Sequence, residues 1–348
     1  MTLDRPHRAA LIGLGKQARE DYIPGFASAR HVDLVAVCDP NPAARDDAAA
    51  RLDVPGYASH VDLLEGEALD FVVIAAPHHV HGRIVEDAAA ASVNVLKEKP
   101  FAMCCDEALR LAEVAYCAGI EIMTTLPRRF NPIYTAYFEF ADEIGEPFFV
   151  YARYTMYVET PHAGWRGHRC HAGGGCVIDM GYHVLDLLIW YFGLPDAVAA
   201  TMSAEAIRSD PYDAEDTASL LLQWKSGLHG TCLLSRYLPP KTESLVVVGT
   251  EGIIDLRRGM LRRLESNGEI SECLSRESTR NTVASSQLDY FSRVLAGARP
   301  NIGSPRYHVQ HAALIDACYE STRTGTFVNP RELLEPTQAT HRGEMPTA

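Results

Sequence analysis

The chain predicts an α/β protein in two parts: an N-terminal doubly wound parallel sheet, then an α+β domain on a large, mostly antiparallel open sheet. Three observations predict it. Short apolar runs alternate with helical stretches up to residue 126, a glycine turn follows the first run, and from Pro147 long alternating runs succeed one another between turn signals. The expected division is 1–126, 127–330 and a polar, flexible tail over 331–348.

Arg8 to Gly13 reads as a buried strand, GLGKQA as a tight turn, and the residues through Ala29 as a helix. This is the Rossmann dinucleotide fingerprint: Gly13 for the turn, Gly15 for close approach of a pyrophosphate, and Ala18 for helix–strand packing, with Lys16 and Gln17 completing the loop. The next strand ends at Asp39, 24 residues after Gly15, where an acid bonds ribose hydroxyls and repels a 2′-phosphate. NAD is therefore the expected cofactor. Helices over 42–52, 80–91 and 106–118 alternate with strands over 71–75, 93–96 and 121–124. A helix is expected over 128–145, strands over 148–158, 197–207, 218–224, 228–238, 244–250 and 252–258, and closing helices over 284–296 and 306–323.

Composition narrows the function classes. With 47% hydrophobic and 22% charged residues the chain reads as an ordinary globular protein, and no apolar run approaches the roughly 20 residues that span a bilayer. A net charge of −13 argues against nucleic acid and anionic membranes as partners. Nine scattered cysteines, among them Cys38, Cys117, Cys232 and Cys318 in apolar runs, read as reduced core residues, and no signal segment precedes the first strand. A cytoplasmic protein is expected.

The chemistry concentrates at residues 173–188, GGGCVIDMGYHVLDLL. On a helix Asp179, His183 and Asp186 fall at i, i+4 and i+7, a polar face in a greasy segment, with Asp179 placed to orient the imidazole as a proton shuttle. The glycines admit either another backbone or a flat ligand. The same pair could equally be a buried, self-satisfied hydrogen-bonded unit. In a parallel sheet ligands sit at the carboxyl ends of strands, where the chain carries APHHVH at 76–81 and KEKP at 97–100. Lys99 there can donate to a substrate hydroxyl; Lys97 reads as a solvated strand-end lysine. The histidines of 78–81, and His162, His168, Cys170 and His171, match no standard metal-ligand spacing, so no metal is expected.

With GLGKQA, EKP at 98–100, Trp165-Arg166 and GGG-x3-D-x3-H at 173–183 in hand, the chain resembles, over nearly its whole length, the Gfo/Idh/MocA family of nicotinamide-dependent sugar and cyclitol oxidoreductases. The resemblance implies Lys99, Asp179 and His183 as the catalytic set, Glu98 as a cofactor contact, and Pro77, His78 and His81 beside the cofactor. It makes the Lys99–Pro100 bond often cis, and implies Arg128, Trp165 and Arg166 on the substrate side. The chain departs from the family at His78 and Pro127, where relatives commonly carry Asn. The implied activity is oxidation of a secondary hydroxyl of a sugar, sugar nucleotide or aminocyclitol. Rivals are ketosugar reduction, a glycosidase using transient oxidation, and an NAD sensor; a sensor needs only the glycine loop. Arg128, Arg129, Arg166 and Arg169 either clasp a diphosphate or are scaffold and surface residues. The open sheet face implies a homodimer or homotetramer.

Overall fold

Strand β1 (His7–Ile12) lies in the middle of a sheet whose apolar strands are covered on both faces, as a parallel sheet requires. The computed structural model describes residues 5–207, 212–276 and 278–334. A π-turn (Ala18–Tyr22) runs into α1 (Ile23–Ser28), followed by β2 (Val32–Cys38), α2 (Pro42–Leu52), β3 (Gly56–Tyr57), α3 (His60–Gly66), β4 (Phe71–Ile74), α4 (His78–Ala90), β5 (Asn94–Lys97), α5 (Cys105–Ala118) and β6 (Ile122–Thr124). The strands pair in parallel in the order β3-β2-β1-β4-β5-β6. The strands and helices expected in this half are present, and β3 and α3 were not expected. Asn41 caps α2 through Ala43 N and Ala44 N, with Pro42 in the first turn.

The helix expected over 128–145 is instead a string of single turns: Pro127–Phe130, α6 (Pro132–Thr135), α7 (Tyr137–Phe140) and Ala141–Ile144. Pro132 cannot continue a helix, and Asn131 starts a new one by accepting from Ile133 N. Then come β7 (Pro147–Tyr157), a turn at Trp165–Gly167, α8 (Arg169–Ala172), a π-turn (Val177–Gly181), and α9 (Tyr182–Phe192). The large sheet continues through β8 (Ala197–Ser203), β9 (Thr217–Gln223), β10 (His229–Ser235), β11 (Tyr237–Gly249), β12 (Gly252–Arg257), β13 (Met260–Glu265) and β14 (Ile270–Ser275). Its order is β14-β13-β12-β11-β7-β10-β9-β8, antiparallel except for the β7–β10 pair. The strand expected over 197–207 ends at Ser203, and β13 and β14 were not expected at all because their runs are broken by charge.

Residues 169–192 pass for a membrane-spanning helix by length and composition alone, but their hydrophobic side chains are core, packed on the inner face of the large sheet. The closing helices α10 (Arg280–Leu295) and α11 (Pro305–Thr324) return to the first sheet. Leu288, Phe291 and Val294 of α10 join Leu11, Phe71 and Val73, while α11 gives Val309 and Ala313 to the small-sheet core and Leu314 and Cys318 to the large-sheet core. A boundary at 126/127 therefore follows sheet membership but not packing. Of the segment expected as a tail, residues 331–334 belong to a turn, Pro330–Leu334, packed on both cores; residues 335–348 lie outside the described residues. All nine cysteines are free thiols; Cys117 is exposed rather than core.

Lys97 is also a correction. It is 0% exposed, because its Nζ donates to Pro100 O (2.8 Å) and Phe101 O (2.6 Å), pinning the loop that follows β5. Burial lowers its pKa from 10.5 to about 7, and a neutral amine still has two N–H donors for those carbonyls. The unfolded chain thus binds the extra proton between about pH 7 and 10.5, so this group makes stability rise with pH across that window. In Lys97→Met that contribution is expected to vanish, read as a flattened difference between wild-type and variant urea-unfolding free energies above about pH 10.5 and below about pH 7.

Candidate active site

The glycine loop is built as a dinucleotide cradle. Gly13 has φ +93°, and a Cβ there would meet Ala75 O at 2.6 Å, so the turn after β1 packs directly on the end of β4. Around Gly15 nothing lies within 4 Å of the Cβ position, so that glycine keeps open the space a pyrophosphate would enter. Asp39 accepts from Leu14 N (2.7 Å) and Asn41 N (2.8 Å), which fixes the carboxylate at the lip of the loop. Ala18 is buried, while the side chains of Lys16 and Gln17 turn to Glu20 and Asp21 of their own helix. These features fit an NAD molecule.

The carboxyl ends of β4 and β5 bring in the next layer. Pro77 caps α4, and His78 and His81 are both buried. His81 faces Ala76 O through Nε2 (2.8 Å), so it supports the loop after β4 from beneath. His78 donates Nδ1–H to Ala172 O (2.8 Å) and stands edge-on to Trp165, ring centroids 4.5 Å apart. Burial, with the Lys99 charge, lowers its pKa to about 3, so it is a neutral bridge between α4 and the loop before the central helix. Glu98 accepts from Tyr22 OH (2.6 Å), tying the glycine-loop helix to the end of β5, and burial raises its pKa.

The Lys99–Pro100 peptide bond is cis. Lys99 Nζ donates to Asp179 Oδ1 (2.6 Å) and to Asp179 O (2.8 Å). On the other side Arg166, 52% exposed, rests on Trp165 at 4.2 Å with its Nε 3.4 Å from Asp179 Oδ2. Burial alone would raise the Asp179 pKa, but Lys99 and Arg166 hold it well below the usual carboxylate range. His183 is held neutral by burial and by the charges of Arg128 and Lys99, against an opposing pull from Asp179.

This corrects the expected helical face. Asp179 lies in the π-turn just before α9, and no hydrogen bond joins its carboxylate to His183. Its carboxylate is engaged by Lys99 and Arg166 and does not orient the imidazole. Asp186 leaves the site altogether: it pairs with Arg129 (2.8 Å) and with His311 Nε2 (3.0 Å) of α11. The glycines serve another backbone and a side chain, not a flat ligand. A Cβ on Gly174 would overlap the Tyr319 hydroxyl, and one on Gly175 would overlap Glu215 O.

The four arginines do not converge. Arg128 is bound to Glu243 (2.8 Å), Arg129 to Asp186, and Arg169 lies on the Tyr319 ring in a separate cavity of about 990 Å³ that Lys99, Asp179 and His183 do not line. Arg166 alone among them faces Asp179. Among the described residues no group of three or more His, Cys, Asp or Glu side chains is placed to hold a metal ion.

Sequence reasoning missed Glu215. Its carboxylate accepts from Gly175 N (2.7 Å), Val177 N (2.9 Å) and Tyr319 OH (3.0 Å), anchoring the start of the helix that carries Asp179. Tyr22 was missed as well; only the paired acids at 215–216 just before a strand offered any signal.

A dinucleotide cradle whose strand ends meet a Lys–Asp pair and a neutral histidine defines a nicotinamide-dependent oxidoreductase. The comparisons agree. Residues 7–124 match the oxidoreductase family model with an NAD-binding Rossmann fold, and residues 141–255 match the GFO/IDH/MocA C-terminal domain. The rhizopine catabolism protein MocA of Rhizobium meliloti is 30% identical over 72% of this chain and 78% of its own, and the scyllo-inositol 2-dehydrogenase (NAD(+)) of Bacillus subtilis is 27% identical over 71% and 72%. The WlbA dehydrogenase of Bordetella pertussis, solved with NADH and UDP-GlcNAcA, superposes with a TM-score of 0.80 at 25% identity, covering 93% of this chain and 99% of that one. The chain belongs to the Gfo/Idh/MocA oxidoreductase family.

Proposed function

We propose that the protein oxidises a secondary hydroxyl of a sugar, sugar nucleotide or cyclitol to the ketone, with NAD as oxidant. NAD held by the glycine loop would supply the electron sink for the carbinol hydride. The reading is carried by the Lys99–Asp179 pair at the strand ends beside the glycine loop, with His183 four residues beyond Asp179 on the helical segment that continues it. Lys99, held by Asp179, donates a hydrogen bond to the substrate oxygen and stabilises negative charge as it develops there. His183, neutral at physiological pH, accepts the hydroxyl proton. Once protonated it stands among the charges of Arg128 and Lys99, so the proton is passed on rather than held. Trp165, edge-on to His78, and Arg166, resting on the Trp165 ring, cover the substrate side.

MocA, scyllo-inositol 2-dehydrogenase and the UDP-GlcNAcA-bound WlbA among the relatives support a polyhydroxylated substrate. Nine free thiols support a reducing, cytoplasmic setting. The outer face of the large sheet, with Tyr151 and Leu221 exposed across β7 and β9, supports a homodimer or homotetramer. The test is the near-ultraviolet absorbance of reduced nicotinamide on mixing protein and NAD with sugars, inositols, aminocyclitols and nucleotide sugars. Growth with one class is expected. Silence throughout, with NAD bound and ketosugars reduced by NADH, would reverse the assigned direction.

Asp39→Ala is expected to raise the KM for NAD about tenfold or more and to narrow the preference over NADP, because the carboxylate both holds Leu14 N and opposes a 2′-phosphate. Steady-state kinetics with both cofactors checks it; an undiminished preference would remove Asp39 as the discriminator.

A further inference from the structure

Just beyond Lys99 the chain, at Pro100 and Phe101, is in neither strand nor helix, and three buried side chains that the proposed chemistry does not use meet there. Lys97, at the end of β5, donates from Nζ to Pro100 O (2.8 Å) and Phe101 O (2.6 Å), and the same Nζ lies 5.4 Å from the Phe101 ring centroid. Tyr182, at the start of α9, accepts from Phe101 N at 3.4 Å, and its own O–H donates to His308 Nδ1 of α11 (2.6 Å). The His308 ring stacks on Phe101 and on Tyr182, with centroids 6.0 and 5.8 Å apart.

These bonds serve Pro100 O, Phe101 N and Phe101 O in a segment that has no ladder to fix it. Burying an amine is costly, and among the described residues Lys97 is in no ion pair, so what it supplies is its hold on those carbonyls. Lys99 leaves the backbone immediately before this segment, and its Nζ reaches Asp179 Oδ1 and O at 2.6 and 2.8 Å. Misplacing such a group by about 1 Å costs as much as about 100-fold in rate. Tyr182 directly precedes His183, so its hydroxyl also ties the lysine loop to the helix that carries the histidine.

We propose that Lys97 and the Tyr182–His308 pair clamp the Pro100–Phe101 backbone and so position Lys99 against the reacting oxygen. They are positioning residues, each acting through Lys99. The inference rests on the assignment of Lys99 as the group that meets the substrate oxygen, and goes beyond it in naming what holds Lys99 in place.

The experiment compares Lys97→Met and Tyr182→Phe, each alone and combined with Lys99→Met, on the substrate found by the absorbance screen, with NAD saturating and NADH affinity titrated alongside. The expected result is a kcat lowered about 10- to 100-fold in Lys97→Met and at least about threefold in Tyr182→Phe, with NADH affinity unchanged. In the Lys99→Met background either change is expected to cost less than about twofold further, because nothing is left to position. An unchanged kcat in the single variants, or the same loss in both backgrounds, overturns the clamp and leaves these residues a merely structural part. Should Lys97→Met not fold, Tyr182→Phe, which removes one hydroxyl, decides the same comparison.

If wild-type protein turns over no member of the screen in either direction, or Lys99→Met keeps full activity, the reaction assigned to Lys99 fails, and the clamp is decided without turnover. Folded protein is acetylated with sulfosuccinimidyl acetate and read by peptide mass spectrometry, with the exposed Lys16 and Lys225 as references. Lys99 acetylated at least about threefold faster in Lys97→Met and Tyr182→Phe, with both references unchanged, supports the clamp. An equal rate at Lys99 overturns it.

Discussion

Lys99→Met is expected to lower kcat by about 10²- to 10³-fold, with kcat/KM falling alongside it and NAD affinity unchanged. The lysine reaches the site from the end of β5 and is held there by two oxygens of Asp179, so removing it deletes a charge aimed at the reacting oxygen. It touches none of the glycine-loop contacts, which is why cofactor binding should survive. His183→Asn is expected to cost about 10²- to 10⁴-fold, the range for loss of a positioned base. Fluorescence titration with NADH beside steady-state kinetics separates the two effects. Full activity in both variants would remove these residues from the chemistry.

The largest stability effect is expected away from the reaction centre. Asp186 and Arg129, with side chains 2% and 6% exposed, form a buried ion pair that also takes in His311 and Tyr307 of α11. Asp186→Ala leaves the guanidinium buried and uncompensated, at a cost of about 3–5 kcal/mol. Trp190 and Tyr307 rings flank the same guanidinium and do not replace a carboxylate. Urea unfolding checks this, and a loss under about 1 kcal/mol would mean that water or Glu/Asp elsewhere satisfies Arg129. Since this cluster joins the central helix to α11, the variant tests how firmly the closing helix holds the site together.

The parts of this architecture legible from sequence are those written in short-range patterns. Gly13, Gly15 and Asp39 are separated by one strand–helix–strand unit, and the parallel sheet forms from such units in order. Lys99 follows directly on a buried strand, which sets its place at the strand ends. The partners of polar groups were not legible. Arg128 and Arg129 are neighbours in sequence, yet one bonds a carboxylate on β11 and the other a carboxylate on α9, a choice set by tertiary packing. The π-turn at Val177–Gly181 is one inserted residue's worth of rotation, and periodicity analysis assumes it away. Lys97 looked solvated because the two carbonyls that accept from it belong to a loop folded back beneath it. Gly174 and Gly175 announced close packing but not the partner, since Tyr319 and Glu215 come from distant elements.

The central claim is transfer of hydrogen from a substrate carbon to NAD at the Lys99–Asp179–His183 centre. It is tested most directly with a substrate deuterated at the carbinol carbon, following the label by mass spectrometry of cofactor and product. Deuterium recovered in the reduced nicotinamide, with a ketone as the released product, is the predicted result. Deuterium returned to a cleaved or unchanged product, with the cofactor unlabelled at the end of the reaction, would contradict net dehydrogenation and favour transient oxidation with internal recycling.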